Sequence, residues 1–386
     1  MHELQLPVYL DYNATTPADP RVVQAMLPWF TQQFGNASAT GYPYGRRAAE
    51  AVQEAREQTA ALIQAEPGEI VFTGSATESI NLAIKGVFET YRNKGNHIIV
   101  SAIEHSAVLA TCAALEKKGA EITVVPVGPD GRVNAADVEQ AIRPATIMAC
   151  LMYANNETGV IQPVQEVGEI AQRHNIFFFC DAVQAVGKIP VNVQECGIHL
   201  LALSAHKIYG PKGVGALYIR RKNPRVQPEP QIHGGQQENG RRSGTLNVPG
   251  IVGLGRAAML CAEEMAAEAL RLTGLRNGLE AMLEQQGALV NGNRAFRLPQ
   301  VTSIVFPGIA YRQLAAALYT TVSASAGSAC ATGQNRPSHV LTAMGISEAQ
   351  ALGTLRLSVG RFTTQEEVQL AANAIIEAVK TLRAGN

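Results

Sequence analysis

The sequence predicts an α/β protein: a large, mostly parallel sheet covered by helices, followed by a second, smaller domain. Three observations carry that expectation. Short β-branched runs alternate with helical patterns through the first two-thirds of the chain, the signature of parallel strands joined by helical crossovers. A length of 386 residues, 46% of them apolar and 17% charged, suffices for a large core and exceeds what a single core usually organises. Ionisable and small polar residues gather where the strands end, which is where such sheets hold ligands.

The elements follow in order. Residues 69–73 read as a strand and 77–90 as the helix after it. Residues 97–101 form the next strand, with a helix over 106–118. Further strands are expected at 121–125, 147–152, 176–180 and 200–203. A long helical stretch from 248 to 286 leads into the smaller domain. There strands are expected at 302–306, 319–324 and 354–359, and a final helix over 365–383.

Composition excludes several classes. Basic and acidic residues balance at 32 each, and no run of Lys or Arg marks a nucleic-acid surface. The longest apolar run, about 147–154, is far too short for a bilayer. The first residues lack a basic stretch followed by an apolar one, so a cytoplasmic protein is expected. The six cysteines form no C-x-x-C pair and no zinc spacing with histidine, so neither a metal nor a disulfide framework is expected. Five of them sit in apolar or helical contexts and read as small core residues. Cys330 does not.

The chemistry concentrates at strand ends. Lys207 follows the apolar run Leu201-Ala202-Leu203 and precedes the turn Gly210-Pro211. Lysine normally occupies solvated faces; here the setting favours an amine that forms a Schiff base with an aldehyde cofactor. Asp181 ends the run Phe177-Phe178-Phe179-Cys180. It would serve equally as a turn cap, yet a buried carboxylate needs a cationic partner or several donors. A protonated pyridine nitrogen is such a partner, and the pair points to pyridoxal phosphate. Gly74-Ser75-Ala76-Thr77 follows a strand and opens a helix, so its N–H groups and the Thr77 hydroxyl would face an anion, although an ordinary N-cap looks the same. No G-x-G-x-x-G or G-x-x-x-x-G-K-[ST] is placed for a dinucleotide or P-loop site. His105 reads alone as a capping histidine, and beside Asp181 and Lys207 as a ring-stacking proton carrier. Arg356, in Thr354-Leu355-Arg356-Leu357-Ser358, is either part of a solvated sheet face or a clamp for a carboxylate. Cys330 lies among small and polar residues from Ser323 to Asn335 without helical or strand period, a setting for a nucleophile or sulfur carrier whose thiol must be deprotonated.

These residues, with Tyr9-Leu10-Asp11-Tyr12-Asn13-Ala14-Thr15-Thr16-Pro17, Asn155-Asn156-Glu157, Arg242-Ser243-Gly244-Thr245 and Gly327-Ser328-Ala329-Cys330, give the chain its resemblance. It resembles the cysteine desulfurases, fold-type-I pyridoxal phosphate enzymes of the class V aminotransferase superfamily, nearly from end to end. Its long Cys330 loop is similar to the housekeeping or nitrogen-fixation branch. The resemblance implies a seven-stranded, mostly parallel sheet in a large domain over 16–257, and a smaller α+β domain from 1–15 and 258–386 that carries the cysteine loop. It implies Lys207 as the Schiff-base lysine, Asp181 on the pyridine nitrogen, His105 on the ring and Gln184 on the phenolic oxygen. Ala76, Thr77, Ser204 and His206 would hold the phosphate, with Thr245 reaching in from the other subunit of a homodimer. Asn156 would touch cofactor and substrate, while Asn36 and Arg356 would bind the carboxylate of L-cysteine. Lys207, His105 and Cys330 would be catalytic: sulfur leaves cysteine as a Cys330 persulfide, alanine is released, and the sulfur passes to a protein acceptor such as an iron–sulfur scaffold or to thiolated cofactor or tRNA synthesis. Tyr42 stands where the family usually has histidine. Within the same fold a lyase releasing sulfide or selenide, or an aminotransferase, stays open. So does a non-catalytic scaffold partner.

Overall fold

A computed structural model describes residues 6–326 and 336–385. Cys330 lies outside the described residues. The first strand among the described residues is β1 (Val8–Tyr9). Seven strands then build one sheet: β2 (Ile70–Thr73), β3 (His97–Ser101), β4 (Glu121–Val125), β5 (Thr146–Cys150), β6 (Phe177–Asp181), β7 (Leu200–Ser204) and β8 (Gly215–Ile219). Their order is β2-β8-β7-β6-β5-β3-β4. β8 pairs antiparallel with both neighbours, and the remaining pairings are parallel. The sheet is therefore mostly parallel, as expected, with one reversed strand. The chain leaves β3 toward β4 on one side and returns to β5 on the other, so a crevice opens between the carboxyl ends of β3 and β5.

Period-two alternation sends side chains to two buried faces. Phe178, Cys180, Leu201 and Leu203 pack with the helices Pro43–Leu62 and Val164–Arg173. Phe179, Leu200, Ala202 and Met148 face the helices Ala76–Tyr91 and Ser106–Glu116. Both faces being covered, the strands read as continuous apolar runs.

The helix Val248–Glu284, 37 residues and about 55 Å long, serves two cores. Ile251, Leu254 and Ala258 near its start join the large sheet. Leu272, Leu275, Leu279 and Leu283 near its end join a second core with Val8, Leu10, Ile304, Leu355 and Leu357. That core lies on a small antiparallel sheet of β9 (Leu289–Val290), β10 (Val301–Val305) and, beyond β11 (Val322–Ser323), β12 (Thr354–Ser358), in the order β12-β10-β9. β1 pairs in parallel with β11.

Two expectations need correction. The strand expected at 319–324 is only Val322–Ser323; before it runs a helix, Tyr311–Leu318, because Leu314 and Leu318 one turn apart bury into the second core while Tyr319 stays exposed. Arg356 does not lie on a solvated face: Leu355 and Leu357 fill the second core, and Arg356 is buried on the side toward the large sheet's crevice. Of the cysteines, Cys112, Cys150, Cys180 and Cys261 are buried free thiols and Cys196 is half-buried. No helix among the described residues is long and apolar enough to cross a membrane.

Candidate active site

A cavity of about 750 Å³ lies at the carboxyl ends of the strands. Its floor is the end of β6, where Asp181 is buried and Oδ1 accepts the Val183 N–H at 3.1 Å. Burial raises the Asp181 carboxyl above its ordinary range, opposed by His105 and Lys207. An acid that burial alone would neutralise suits a cationic partner arriving in the cavity.

Lys207 closes the short 3-10 turn after β7. Its Nζ donates to the carbonyl oxygens of Asn13 at 2.5 Å and Ala14 at 2.7 Å. Burial, and secondarily the charge of Arg356, lowers the amine to about 8. Neutral amine is thus a sizeable fraction near physiological pH, which a nucleophilic lysine needs. Two residues on, Tyr209 adopts φ +63°, a left-handed conformation that costs a bulky side chain about 1–3 kcal/mol. Its N–H donates to Thr16 Oγ1 at 2.9 Å, and the centre of its buried ring is 4.4 Å from Lys188 Nζ and 4.3 Å from the Arg361 guanidinium. Those contacts hold the turn that aims Lys207.

The far wall is the start of the helix Ala76–Tyr91, where Ser75, Ala76 and Thr77 line the cavity. Ser75 Oγ caps the Glu78 N–H at 3.2 Å, while Glu78 is tied to the Gly74 N–H and to Arg242 Nε, each at 2.8 Å. Ser204 and His206 line the same cavity. His206 is lowered to about 4, by burial first and then by Lys207 and Lys212, so it stands neutral there.

His105 combines a cap with a place on the cavity wall. It is the N-cap of the helix Ser106–Glu116, its Nδ1 accepting the Ala107 N–H at 3.1 Å, and it lines the cavity. The cap reserves Nδ1 as acceptor and leaves Nε2 for chemistry. Behind it Glu104 is fully buried, accepting from Ser101 Oγ at 2.6 Å and Met152 N at 2.8 Å, and burial pushes its carboxyl up to about 8.

The opposite wall comes from the second core. Arg356 lines the cavity with Asp11 and Asn13. Its Nη1 donates to the Asn156 carbonyl at 3.0 Å and its Nη2 to Asp11 Oδ1 at 2.7 Å. Gln184 Nε2 donates to the Asn13 carbonyl at 3.0 Å, the oxygen that also receives Lys207. Lys207, Asp181, His105, Gln184, Asn156, Ala76, Thr77, Ser204, His206 and Arg356 therefore share one cavity. Asn36 and Thr245 do not line it: both are exposed, and Asn36 Oδ1 accepts the Ser38 N–H at 2.9 Å. Asp11, Asn13 and Ser325 line the site without having been singled out from the sequence; Asp11 and Asn13 lie in the run Tyr9–Pro17, the one signal that marked them.

The donor set fits a phosphorylated pyridine aldehyde. Helix N–H groups and hydroxyls would suit its phosphate, a buried carboxylate its ring cation, and an amine lowered by burial its aldehyde.

The chain matches the aminotransferase class-V family over residues 8–370. It is 49% identical over 382 residues to a protein named cysteine desulfurase IscS from Anaeromyxobacter dehalogenans (strain 2CP-C), covering 98% of this chain and 94% of that one. Among solved structures, a NifS-like protein superposes with a TM-score of 0.91 at 38% identity, covering 97% of this chain and all (100%) of that one. SspA in complex with cysteine superposes at 0.81, also 38% identical, covering 92% and 99%.

Proposed function

Since this chain belongs to the aminotransferase class-V family, whose cofactor is pyridoxal phosphate, and aligns over nearly its whole length with curated cysteine desulfurases, we propose that it is a desulfurase acting on L-cysteine through Cys330. The observation that carries the reading is the meeting of Lys207, Asp181 and the Ser75–Thr77 helix start in one cavity. Asp181 would hold the cofactor's ring nitrogen, Lys207 its aldehyde carbon, and Ala76, Thr77, Ser204 and His206 its phosphate. Bound there, the cofactor supplies an electron sink for breaking the carbon–sulfur bond.

The chain's own residues do the rest. Arg356 clamps the substrate carboxylate, with Asn156 beside it. Lys207, its amine lowered by burial, takes and returns the α-proton. His105, its Nδ1 held as an acceptor, presents Nε2–H as a hydrogen-bond donor to the substrate sulfur. Cys330 thiolate attacks the substrate sulfur; a sulfur–sulfur bond forms, the carbon–sulfur bond breaks, and its electron pair remains on the carbon that is protonated to give alanine. The persulfide then passes to an acceptor protein, for which an iron–sulfur scaffold is the reading. Thr245, exposed, outside its own cavity and three positions after Arg242, supports a homodimer in which it completes the neighbouring phosphate site.

The test is mass spectrometry of the Cys330 peptide after turnover of L-cysteine, beside the Cys330→Ser variant. One added sulfur on Cys330, and loss of alanine formation in the variant, are expected. Full alanine formation by Cys330→Ser would exclude the desulfurase route and leave a lyase.

A further inference from the structure

Arg356 is 5% exposed, so water does not orient its guanidinium. Protein oxygens do. One Nη hydrogen goes to Asp11 Oδ1 and one to the Asn156 carbonyl, which Asn13 Nδ2 also reaches at 3.1 Å. Nε is buried with no partner among the described residues. Of the five N–H groups on a guanidinium, two are taken and Nε is shut in, so the second hydrogen on each Nη is left for a ligand.

Asp11 is itself held in place. Its backbone bridges Ser358 in β12, its carbonyl oxygen lies 3.0 Å from Tyr9 Oη, and the Oδ1 that takes Arg356 also accepts the Ser325 hydroxyl at 3.1 Å. The ion pair is sheltered, its side chains 6% and 18% exposed, so solvent screens it less than a surface pair. Two roles are conceivable for an internal carboxylate on a carboxylate-binding arginine: it competes with the ligand, or it sets the donor plane. Asp11 offers a single oxygen to a single nitrogen, which leaves the other donors free and fits the second role.

We propose that Asp11 is the positioning residue of the Arg356 clamp: by holding one edge of the guanidinium it fixes the plane that receives the α-carboxylate, and so selects amines that carry one. The inference rests on the assignment of Arg356 to the substrate carboxylate.

The experiment titrates the holoenzyme with L-alanine and with ethylamine, which is alanine without its carboxylate, following the absorbance of the bound cofactor. Wild type, Asp11→Ala, Asp11→Asn and Arg356→Ala are compared, with steady-state kinetics on L-cysteine alongside. Loss of a hydrogen bond to a charged group corresponds to about ten- to a hundredfold in affinity. Asp11→Ala is expected to weaken L-alanine by that factor and leave ethylamine unchanged, raising KM for cysteine more than it lowers kcat. Asp11→Asn, which keeps an acceptor oxygen and the side-chain shape, should fall between, and it stands alone as the test if Asp11→Ala does not fold. Equal weakening of both ligands would mean a merely structural role and overturn the proposal, as would tighter alanine binding, the mark of a competitor. If Arg356→Ala weakens alanine while both Asp11 variants bind it normally, the clamp stands and Asp11 falls. If Arg356→Ala also binds normally, the clamp assignment itself fails, and the proposal with it.

Discussion

Lys207 and Glu104 meet near pH 8 from opposite directions, an amine pulled down and a carboxyl pushed up, and burial is the first cause in both. For Glu104 this is a stability term. Between its ordinary value near 4.5 and about 8, the folded chain keeps a proton that the unfolded chain releases, so folding weakens as pH rises across that window and the loss is complete above it. Glu104→Gln, uncharged throughout, should therefore gain on the wild type in melting temperature from pH 5 to pH 9, a gap of a few degrees by the upper end; a constant gap would show that Glu104 is not protonated in the fold. Lys207, Asp181 and His105 were legible in the sequence because each follows a buried strand, where a polar side chain needs a reason. Glu104 was not, because its burial depends on Ser101 and Met152, which close over it from β3 and from beyond β5. Asp11 and Asn13 were not, because their partners Arg356, Ser358 and Gln184 lie far along the chain.

Among the elements, six of the strands in the large sheet announce themselves as β-branched or aromatic runs. β8 does not: Gly-Ala-Leu-Tyr-Ile is short and opens on glycine. That glycine has a reason. A Cβ at Gly215 would lie 2.8 Å from the Ser75 carbonyl carbon and 3.0 Å from the Ala76 nitrogen, inside the turn assigned to the phosphate. Gly215→Ala should therefore push the helix start outward and weaken cofactor retention roughly tenfold or more, measured by equilibrium dialysis of pyridoxal phosphate. Unchanged retention would remove that turn from the phosphate site. The strand misplaced at 319–324 teaches the converse, since aromatic and β-branched letters there sit on a helix end and a tight return.

At the scale of the molecule, residues 8–16 tie the two cores together. Val8 and Leu10 fill the second core, Asn13 reaches Ser358, Gln300 and Asn156, and Thr16 reaches the Lys207 turn. Leu10→Ala should cost about 2–5 kcal/mol of stability, as fully buried leucines do, and should also loosen the carbonyl contacts at Lys207. Leu279→Ala, in the same core but on the long helix, should cost a similar amount without that second effect. Denaturant melts paired with cofactor affinity separate the two; equal affinities would mean that the strip is packing alone. Helix-and-strand alternation made the large sheet and its two helical coverings readable, whereas nothing local could reveal that the opening residues stitch it to the second core.

The stitch has a temporal side. Asn13 and Ser358 are 345 positions apart, and Leu10 and Ser358 are 348. A ribosome delivers the first of each pair long before the second. The large sheet can close during synthesis, while the strip that steadies Lys207 waits for the last strand to emerge. The catalytic centre is therefore among the final parts of the molecule to mature, and an incomplete nascent chain cannot present a finished one.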